Sequence, residues 1–165
     1  MSTRIRTCTR EDASVLADIV RRSFKDVAER FGLTEDNAPR HPSNCTAEWI
    51  RNDMERGVAY FIIENDNHNV GCAALEQATS EVCYLERLAV LPDQRRRGFG
   101  QALVKHVLSE AKLREAHRVS IGIIAQHTEL KNWYEKIGFT EGESKAFPHL
   151  PFRVTFMAYT LRKKC

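Results

Sequence analysis

The chain has 165 residues with 25 basic and 22 acidic side chains, which gives a net charge of +3. This charge is too small to indicate nucleic-acid binding by itself, and a hydrophobic content of 42% excludes disorder of the whole chain. The length suits one domain over residues 1–165 and can bury a core without disulfides or metals. No apolar stretch approaches the length of a membrane span and no secretory signal opens the chain, so we expect no membrane partner.

The cysteines also bear on the compartment and on metal binding. Five are present, an odd number, and no two have the spacing of a CxxC motif. They are Cys8, Cys45, Cys72, Cys83 and Cys165. This pattern argues against a disulfide framework and against a zinc site. We therefore expect free thiols in a reducing cytoplasm and no metal cofactor.

The first third of the chain predicts a strand, a helix, a loop and a second helix. Residues 3–8 alternate as a short strand, and Thr9 with Asp12 forms a capping box for a helix over residues 10–31. Gly32 is a natural end for that helix. Residues 33–45 are rich in proline and polar turn formers and predict a loop, after which residues 46–56 predict a helix that Gly57 ends.

The remaining elements predict an α/β sheet. Residues 58–64 and 70–76 read as the two strands of a hairpin around an Asn/Asp-rich turn, and residues 82–90 as a third long strand. An amphipathic helix is expected over residues 99–113 and a second over 129–137, which Gly138 ends. Residues 119–125 predict a strand buried on both faces, and residues 152–161 predict the last strand.

Two glycines and three arginines stand together where the third strand gives way to the third helix. The first N–H groups of a helix are unpaired and carry partial positive charge, so a helix that begins here makes an anion site suited to a pyrophosphate. Gly98 and Gly100 let a phosphate approach the backbone. Arg95, Arg96 and Arg97 supply neutralising charge and bidentate contacts.

The same segment resembles the signature of the GNAT acyltransferase superfamily. It lacks the Gly-Lys-Ser/Thr of a P-loop, and Leu103 stands where a dinucleotide-binding fingerprint requires Gly or Ala. The superfamily signature is Arg/Gln-x-x-Gly-x-Gly/Ala after a strand, which here is Arg95 to Gly100, preceded by the typical Leu-Ala-Val-x-Pro. Residues 132–139 (NWYEKIGF) are similar to the family's Tyr-Glu-Lys-x-Gly-Phe helix end. The resemblance covers residues 58–140.

This resemblance implies a fold and an activity. The fold is a mixed central sheet of about six to seven strands that is splayed in the middle and flanked by about four helices. The activity is that of an acetyl-CoA-dependent N-acetyltransferase, in which a primary amine of a small molecule or a protein attacks the thioester directly in a ternary complex. Acetyl-CoA is the cosubstrate, and dimers are common in the family, which makes a homodimer an expectation by analogy.

The resemblance also implies where acetyl-CoA binds. Its pantetheine arm fills the gap beside the strand over residues 82–90 and pairs with free backbone groups there, while N–H groups of the following loop hold the pyrophosphate. His127 stands where family members often carry an asparagine that contacts the cofactor, and an imidazole can still donate a hydrogen bond. The residues expected at the cofactor are Leu88, Ala89, Val90, Arg95, Arg96, Arg97, Gly98, Phe99, Gly100, Gln101 and His127.

Two residues are expected to carry the chemistry. Tyr134 matches the family's usual general acid, and a phenol stays protonated at neutral pH and can protonate the departing thiolate. Glu86 is the nearest carboxylate on the third strand and is the expected general base, with Tyr84, His127 or a water as alternatives. A solvated or ion-paired Glu86 without a catalytic role is equally open. Strand alternation places Arg87 on the opposite face, where its role is structural.

The acceptor site is expected under the first two helices and their loop, from Phe24 to Trp49. Its charges are mixed: acidic residues suit a cationic amine, whereas Arg40 and His41 suit a carboxylate or phosphate, so the sequence does not choose between them. A second candidate wall is the segment from Ser144 to Pro151, which reads as a rigid turn with an exposed aromatic residue.

Two other functions fit parts of this pattern. A non-catalytic acyl-CoA-binding module that regulates a partner needs the basic glycine loop but neither Tyr134 nor a base. Nucleic-acid binding through Arg95 to Arg97 predicts steep salt dependence. The small net charge and the lack of exposed aromatic residues among the arginines argue against it, so we expect no nucleic-acid partner.

Overall fold

The structure is a computed structural model that describes residues 2–161 as one seven-stranded sheet with four α-helices. The helices are α1 (Ala13–Phe31), α2 (Ala47–Glu55), α3 (Phe99–Leu113) and α4 (Thr128–Ile137). The strands are β1 (Thr3–Thr7), β2 (Ala59–Asn65), β3 (His68–Gln77), β4 (Val82–Val90), β5 (Arg118–Ile124), β6 (Thr140–Ala146) and β7 (Arg153–Thr160). The predicted fold class is confirmed.

The strands lie in the order β1-β2-β3-β4-β5-β7-β6. All neighbours are antiparallel except β4 and β5, which are parallel. A parallel pair needs a crossover connection, and α3 supplies it. The turn that carries the glycines and arginines therefore lies at the carboxyl end of β4, where ligands of open α/β sheets bind.

The helices cover both faces of the sheet. Along β2, Tyr60 and Ile62 pack with α1 and α2, whereas Phe61 and Ile63 pack with α3 and α4. Successive side chains of a strand point to opposite faces, so a strand covered on both sides is a continuous apolar run. The sheet thus separates two cores, and a residue's place along β4 decides which core it joins.

Local sequence signals set the helix ends. The Asp12 carboxylate accepts the Thr9 N–H at 2.9 Å, and the first predicted helical residues form a short 3₁₀ turn before α1. Thr46 Oγ1 accepts the Trp49 N–H at 3.2 Å and caps α2. Gly32 ends α1 in the left-handed region with φ of 64°.

Two expectations about strands were wrong or incomplete. Strand β6 was not predicted, because its residues are all exposed and its strand structure comes from pairing with β7. β5 was expected to be buried on both faces, but only Val119, Ile121 and Ile123 make a continuous buried row, whereas Gly122 on the other face is exposed. Gly122 faces the cleft described below, so the cleft is the reason for its exposure.

Two further expectations concern membranes and thiols. Within residues 2–161, every helix is too short or too polar to cross a membrane. Cys45, Cys72 and Cys83 are buried free thiols, and Cys8 is a half-buried one. Cys165 lies outside the described residues.

Candidate active site

β4 and β5 separate halfway along their length. They pair only at Val82–Arg118, Cys83–Val119 and Tyr84–Ser120. Beyond Tyr84 the two edges diverge, and residues 85–90 and 121–124 line opposite walls of a cleft of about 970 Å³. The expected splay in the middle of the sheet is therefore present. An extended ligand segment can hydrogen-bond to such unpaired edges as an added strand.

The start of α3 lies at one end of this cleft. The helix's own hydrogen bonding begins with the Ala102 N–H, which donates to the Gly98 carbonyl at 3.0 Å. The N–H groups of Phe99, Gly100 and Gln101 therefore have no partner within the helix. Arg96 and Gly98 both have left-handed backbones, with φ of 65° and 84°. Left-handed residues beside a helix start are typical of anion-binding nests, in which consecutive N–H groups point to one ligand.

Gly100 sits where a side chain would crowd the cleft. A β-carbon built there would lie 3.3 Å from the indole ring of Trp133. Because both residues line the cleft, any larger side chain must displace the indole or fill the space beside the free N–H groups. The requirement for glycine predicted at this position thus has a steric reason.

The three consecutive arginines have different surroundings. Arg95 donates to the Asp26 carboxylate at 2.7 Å and to the Ser23 carbonyl at 2.6 Å, so it fastens α1 to the end of β4. Arg97 donates to Gln94 Oε1 at 2.8 Å and lies outside the cleft wall. Arg96 lines the cleft and, in the described part of the chain, pairs with no carboxylate. The prediction of one shared role for the three arginines therefore needs correction, because each has different contacts in the structure.

A β-bulge in β4 corrects the expected direction of Arg87. Cys72 of β3 pairs with Ala89, but Ala74 pairs with Glu86, so one residue of β3 faces two of β4. Arg87 lies in this bulge, and its backbone is in the left-handed region with φ of 50°. Its guanidinium then points to the same face as Glu86 and contacts groups of α2 and β2. Regular alternation would have sent it to the opposite face.

Arg87 belongs to a buried polar network with Asp53 and Tyr60. It donates to both the Asp53 carboxylate and the Tyr60 hydroxyl, and that hydroxyl donates to Asp53 at 2.6 Å. Burial works against the Asp53 carboxylate, but the hydrogen bond from Tyr60 and the charge of Arg87 outweigh it, so its pKa is below the ordinary value. The network holds Arg87 in place and neutralises its charge.

Glu86 shares a face of the sheet with a second carboxyl group, Glu76 of β3. Burial, together with a hydrogen bond to Glu76 and repulsion from it, raises the pKa of Glu86 to about 8. Glu76 is held as the carboxylate by that hydrogen bond and by Arg56, which donates to it at 2.6 Å, and its pKa is lowered. Glu76 was not predicted from the sequence, because it lies beside Glu86 only through the pairing of β3 with β4.

Tyr134 lies in α4 and is buried, with its ring between those of Trp133 and Phe139 at 5.0 and 5.2 Å. The residue also lines the cleft. Burial raises the pKa of its phenol above the ordinary value, so the group is a neutral hydroxyl at physiological pH. A neutral hydroxyl facing a cleft can donate a proton or a hydrogen bond.

His127 precedes α4 and also lines the cleft. Its Nδ1 atom is buried and has no hydrogen-bond partner among residues 2–161. Burial, assisted by the nearby charge of Arg30, lowers the pKa of the imidazole and favours the neutral ring. A buried polar atom without a partner marks a place where a ligand group can bind.

The predicted site residues thus meet at one cleft. Those that line it are Glu86, Leu88, Ala89, Val90, Arg95, Arg96, Gly98, Phe99, Gly100, Gln101, His127 and Tyr134. Arg97 is the exception. The segment from Ser144 to Pro151, expected as a second wall, does not reach the cleft; Phe152 and Val154 line it instead. The reason is that β6 takes up part of that segment at the sheet edge.

Comparison with known proteins identifies the class to which this fold and cleft belong. The model of the acetyltransferase (GNAT) family matches residues 21–139. The chain therefore belongs to the GNAT acetyltransferase family, and the resemblance seen in the sequence is confirmed.

Two curated relatives fit this placement. An "Amino-acid acetyltransferase" of Ralstonia nicotianae is 35% identical over 97 residues, which are 58% of this chain and 21% of that protein. This chain therefore spans only about a fifth of that relative's length. An "Uncharacterized N-acetyltransferase YjgM" of Escherichia coli is 25% identical over 138 residues, 82% of this chain and 80% of its own.

Solved structures show the same fold. The PaiA N-acetyltransferase of Thermoplasma acidophilum, in complex with coenzyme A, has a TM-score of 0.79 and 18% identity over 97% of this chain and 99% of its own. The ribosomal-protein-S18-alanine N-acetyltransferase of Escherichia coli has a TM-score of 0.77 and 17% identity over 99% and 97% of the two chains. At these identities the likeness concerns the fold.

Proposed function

We propose that this protein is a single-domain enzyme that transfers an acetyl group from acetyl-CoA to a primary amine. One observation carries the proposal: the cleft between β4 and β5 is lined both by the start of α3, with its free N–H groups, and by Tyr134. A diphosphate-bearing thioester needs an anion site, an edge for its amide arm and a proton donor. Family membership and the buried free thiols agree with an acetyltransferase that works in a reducing cytoplasm.

The donor end of the cleft, by which we mean the start of α3 and the unpaired edges of β4 and β5, binds acetyl-CoA. The N–H groups from Arg96 to Gln101 donate to the pyrophosphate, and Arg96 supplies a charge that no carboxylate of the described residues already neutralises. The backbone of Leu88 to Val90 pairs with the amide arm. His127 Nδ1 has no partner among the residues that the structure describes, so it is available to the same arm.

Two side chains of the chain move protons in this proposal. Glu86 accepts a proton from the acceptor ammonium, which frees the nitrogen lone pair for attack on the thioester carbon. The carbon–nitrogen bond forms as the carbon–sulfur bond breaks, and the nitrogen then loses its second proton to solvent to give the neutral amide. Tyr134 donates its hydroxyl proton to the departing sulfur and is later reprotonated by solvent. General acid and base groups of this kind each contribute about 10²–10⁴ in rate.

A thiol-release assay with acetyl-CoA and a library of amines tests the proposal, with Tyr134→Phe as the informative variant. We expect kcat to fall about 100-fold or more, while the thermal stabilisation by coenzyme A is retained. Tyr159→Phe is the matched control, because this tyrosine packs on the other side of Phe139 at 5.5 Å and does not line the cleft.

Two results would contradict the proposal. One is the absence of any stabilisation by coenzyme A or acetyl-CoA. The other is equal activity of the Tyr134→Phe and Tyr159→Phe proteins.

A further inference from the structure

Only some of the charged residues in and beside the loop between α1 and α2 line the cleft. The sequence around it contains Glu29, Glu35 and Asp36 as well as Arg40 and His41. The three acidic residues are exposed and do not line the cleft, whereas Arg40 and His41 do. The mixed charge that left the acceptor undecided in the sequence is therefore resolved by the fold in favour of positive charge.

The other charged groups near this end of the cleft already have partners. Arg30 pairs with Glu129 at 2.5 Å, Arg87 pairs with Asp53, and the only acidic residues on the cleft wall of the described chain are Asp26 and Glu86. Asp26 pairs with Arg95. Arg40, by contrast, has no carboxylate at ion-pair distance anywhere in residues 2–161. One cation at this end of the cleft thus lacks a counter-ion.

His41 adds a second donor beside Arg40. The residue is only 8% exposed, and its Nδ1 accepts the Ser43 N–H at 3.3 Å and lies 2.8 Å from Ser43 Oγ. A ring that accepts at Nδ1 carries its proton on Nε2 when neutral, and burial lowers its pKa and keeps it neutral. Within the described part of the chain, this Nε2–H has no partner, and the residue lines the cleft.

Trp49 places these donors near the expected base. The Arg40 guanidinium lies 4.8 Å from the centre of the Trp49 ring, and the Arg87 guanidinium lies 5.8 Å from the same ring. Stacking on a ring leaves the edges of a guanidinium free to bind an anion. Since Arg87 adjoins Glu86 in β4, the free donors lie on the same side of the sheet as the group that accepts the ammonium proton.

We propose that Arg40 and His41 form a carboxylate subsite, so that the acceptor is a primary amine that also carries a carboxylate, as an amino acid does. The inference rests on the proposed acetyl transfer and names the acceptor class for it. The subsite offers one unpaired positive charge and one neutral donor, which match a carboxylate monoanion better than a phosphate dianion. We call this region, with Glu86, the acceptor end of the cleft.

The test compares matched amines in the thiol-release assay. Each common amino acid is paired with the amine that lacks its carboxylate and with the corresponding aminoalkylphosphonate. The variants are Arg40→Gln, Arg40→Lys and His41→Asn, whose amide oxygen still accepts the Ser43 N–H. Arg51→Gln is the control, since Arg51 is exposed on α2, lies outside the cleft and loses the same charge. Thermal unfolding with coenzyme A confirms that each variant is folded and binds the donor.

For at least one amino acid, we expect the kcat/KM of the unmodified protein to be tenfold or more above that for the matched amine without the carboxylate. Arg40→Gln removes a charge-assisted hydrogen bond and lowers kcat/KM for that substrate by about tenfold to a hundredfold, with little effect on the matched amine that lacks the carboxylate. We expect Arg40→Lys to retain part of the preference, His41→Asn to have a smaller loss, and Arg51→Gln to behave as the unmodified protein.

Three results would overturn the proposed carboxylate subsite. They are equal rates for every amino acid and its matched amine, an equal loss of activity on both compounds in Arg40→Gln, and a preference for the phosphonate over the amino acid. Transfer to none of the carboxylated amines by a protein that binds coenzyme A would overturn it too. Failure of the proposed function looks different, because then coenzyme A does not stabilise the protein and no amine releases thiol.

Discussion

The donor end and the acceptor end of the cleft are built from different chemical groups. The donor end uses backbone: N–H groups at the start of α3 and the unpaired edges of β4 and β5. The acceptor end uses side chains, namely Arg40, His41 and Glu86. A site made of backbone groups keeps its ligand when the surrounding side chains vary, provided that its glycines remain. A site made of side chains can change its ligand specificity with a single substitution. The same fold can therefore keep one donor and change acceptors.

The largest effect is expected from Gly100→Val, which blocks the backbone site. A β-carbon at this position already crowds Trp133, and the two further methyl groups fill the space beside the free N–H groups. We expect the Kd of coenzyme A, measured by calorimetry, to rise more than about 100-fold, a change of roughly 3 kcal/mol.

Ser109→Val is the matched control for this change. It adds a branched side chain at an exposed position of the same helix, and its Kd should equal that of the unmodified protein. Unchanged affinity in Gly100→Val would show that the donor binds elsewhere.

The next effect is expected from Glu86→Gln at the acceptor end. Burial and the neighbouring Glu76 raise the pKa of Glu86 to about 8, and only the carboxylate accepts a proton. The rate of the unmodified protein should therefore rise with pH until about pH 8 and then level off. Glu86→Gln should lower kcat about 100-fold and abolish this rise while leaving the Kd of coenzyme A unchanged. A pH profile with the same rise in the variant would assign the ionisation to another group.

A smaller effect should separate two neighbouring arginines. Arg96→Gln removes a charge at the donor end that has no partner in the described residues, and we expect a rise of about tenfold in the Kd of coenzyme A that shrinks at high salt. Arg97→Gln removes the same charge from a residue that contacts Gln94 and Phe99 but does not itself line the cleft, so its effect should be less than about threefold. Equal effects of the two substitutions would contradict the assignment.

The smallest effect is expected from Glu76→Gln, and it is a gain. Removing the negative charge beside Glu86 lowers the pKa of Glu86, so the rise in rate shifts to lower pH. At pH 7 only about a tenth of a carboxyl group with a pKa of about 8 is ionised, so kcat can increase by at most about tenfold. The plateau at high pH should stay the same. A profile that does not move would mean that the two carboxyl groups titrate independently.

Much of the fold could be predicted because its elements carry local signals. Helices α1 to α4 have apolar faces, Thr46 caps α2, glycines follow α1, α2 and α4, and β2 to β5 have strand-forming runs. β6 has no such signal: all its residues are exposed, and only its pairing with β7 makes it a strand. The bulge at Arg87 has no signal in the sequence either, since alternation of side chains does not show where an extra residue enters a pair of strands.

The sequence groups the residues of the donor end more fully than those of the acceptor end, where it names Glu86, Arg40 and His41 but does not choose among the charges, and the reason is related. The glycines and arginines of the donor end are contiguous, so a short pattern reveals them. The acceptor end depends on contacts between distant residues, such as Arg87 with Asp53 and Arg40 with Trp49. Even at the donor end, the sequence could not show that Arg95 is held by Asp26, which lies 69 residues away.

Amide hydrogen exchange with and without coenzyme A tests the central claim most directly, because it reports on backbone N–H groups themselves. We expect coenzyme A to slow exchange most strongly in peptides covering Leu88–Val90 and Arg96–Gln101. The neighbouring paired segment of β4, Val82–Tyr84, should change little, since its N–H groups already lie in the sheet. Binding of coenzyme A with protection confined to other segments would contradict a backbone binding site at the start of α3 and the edge of β4, as would a lack of binding.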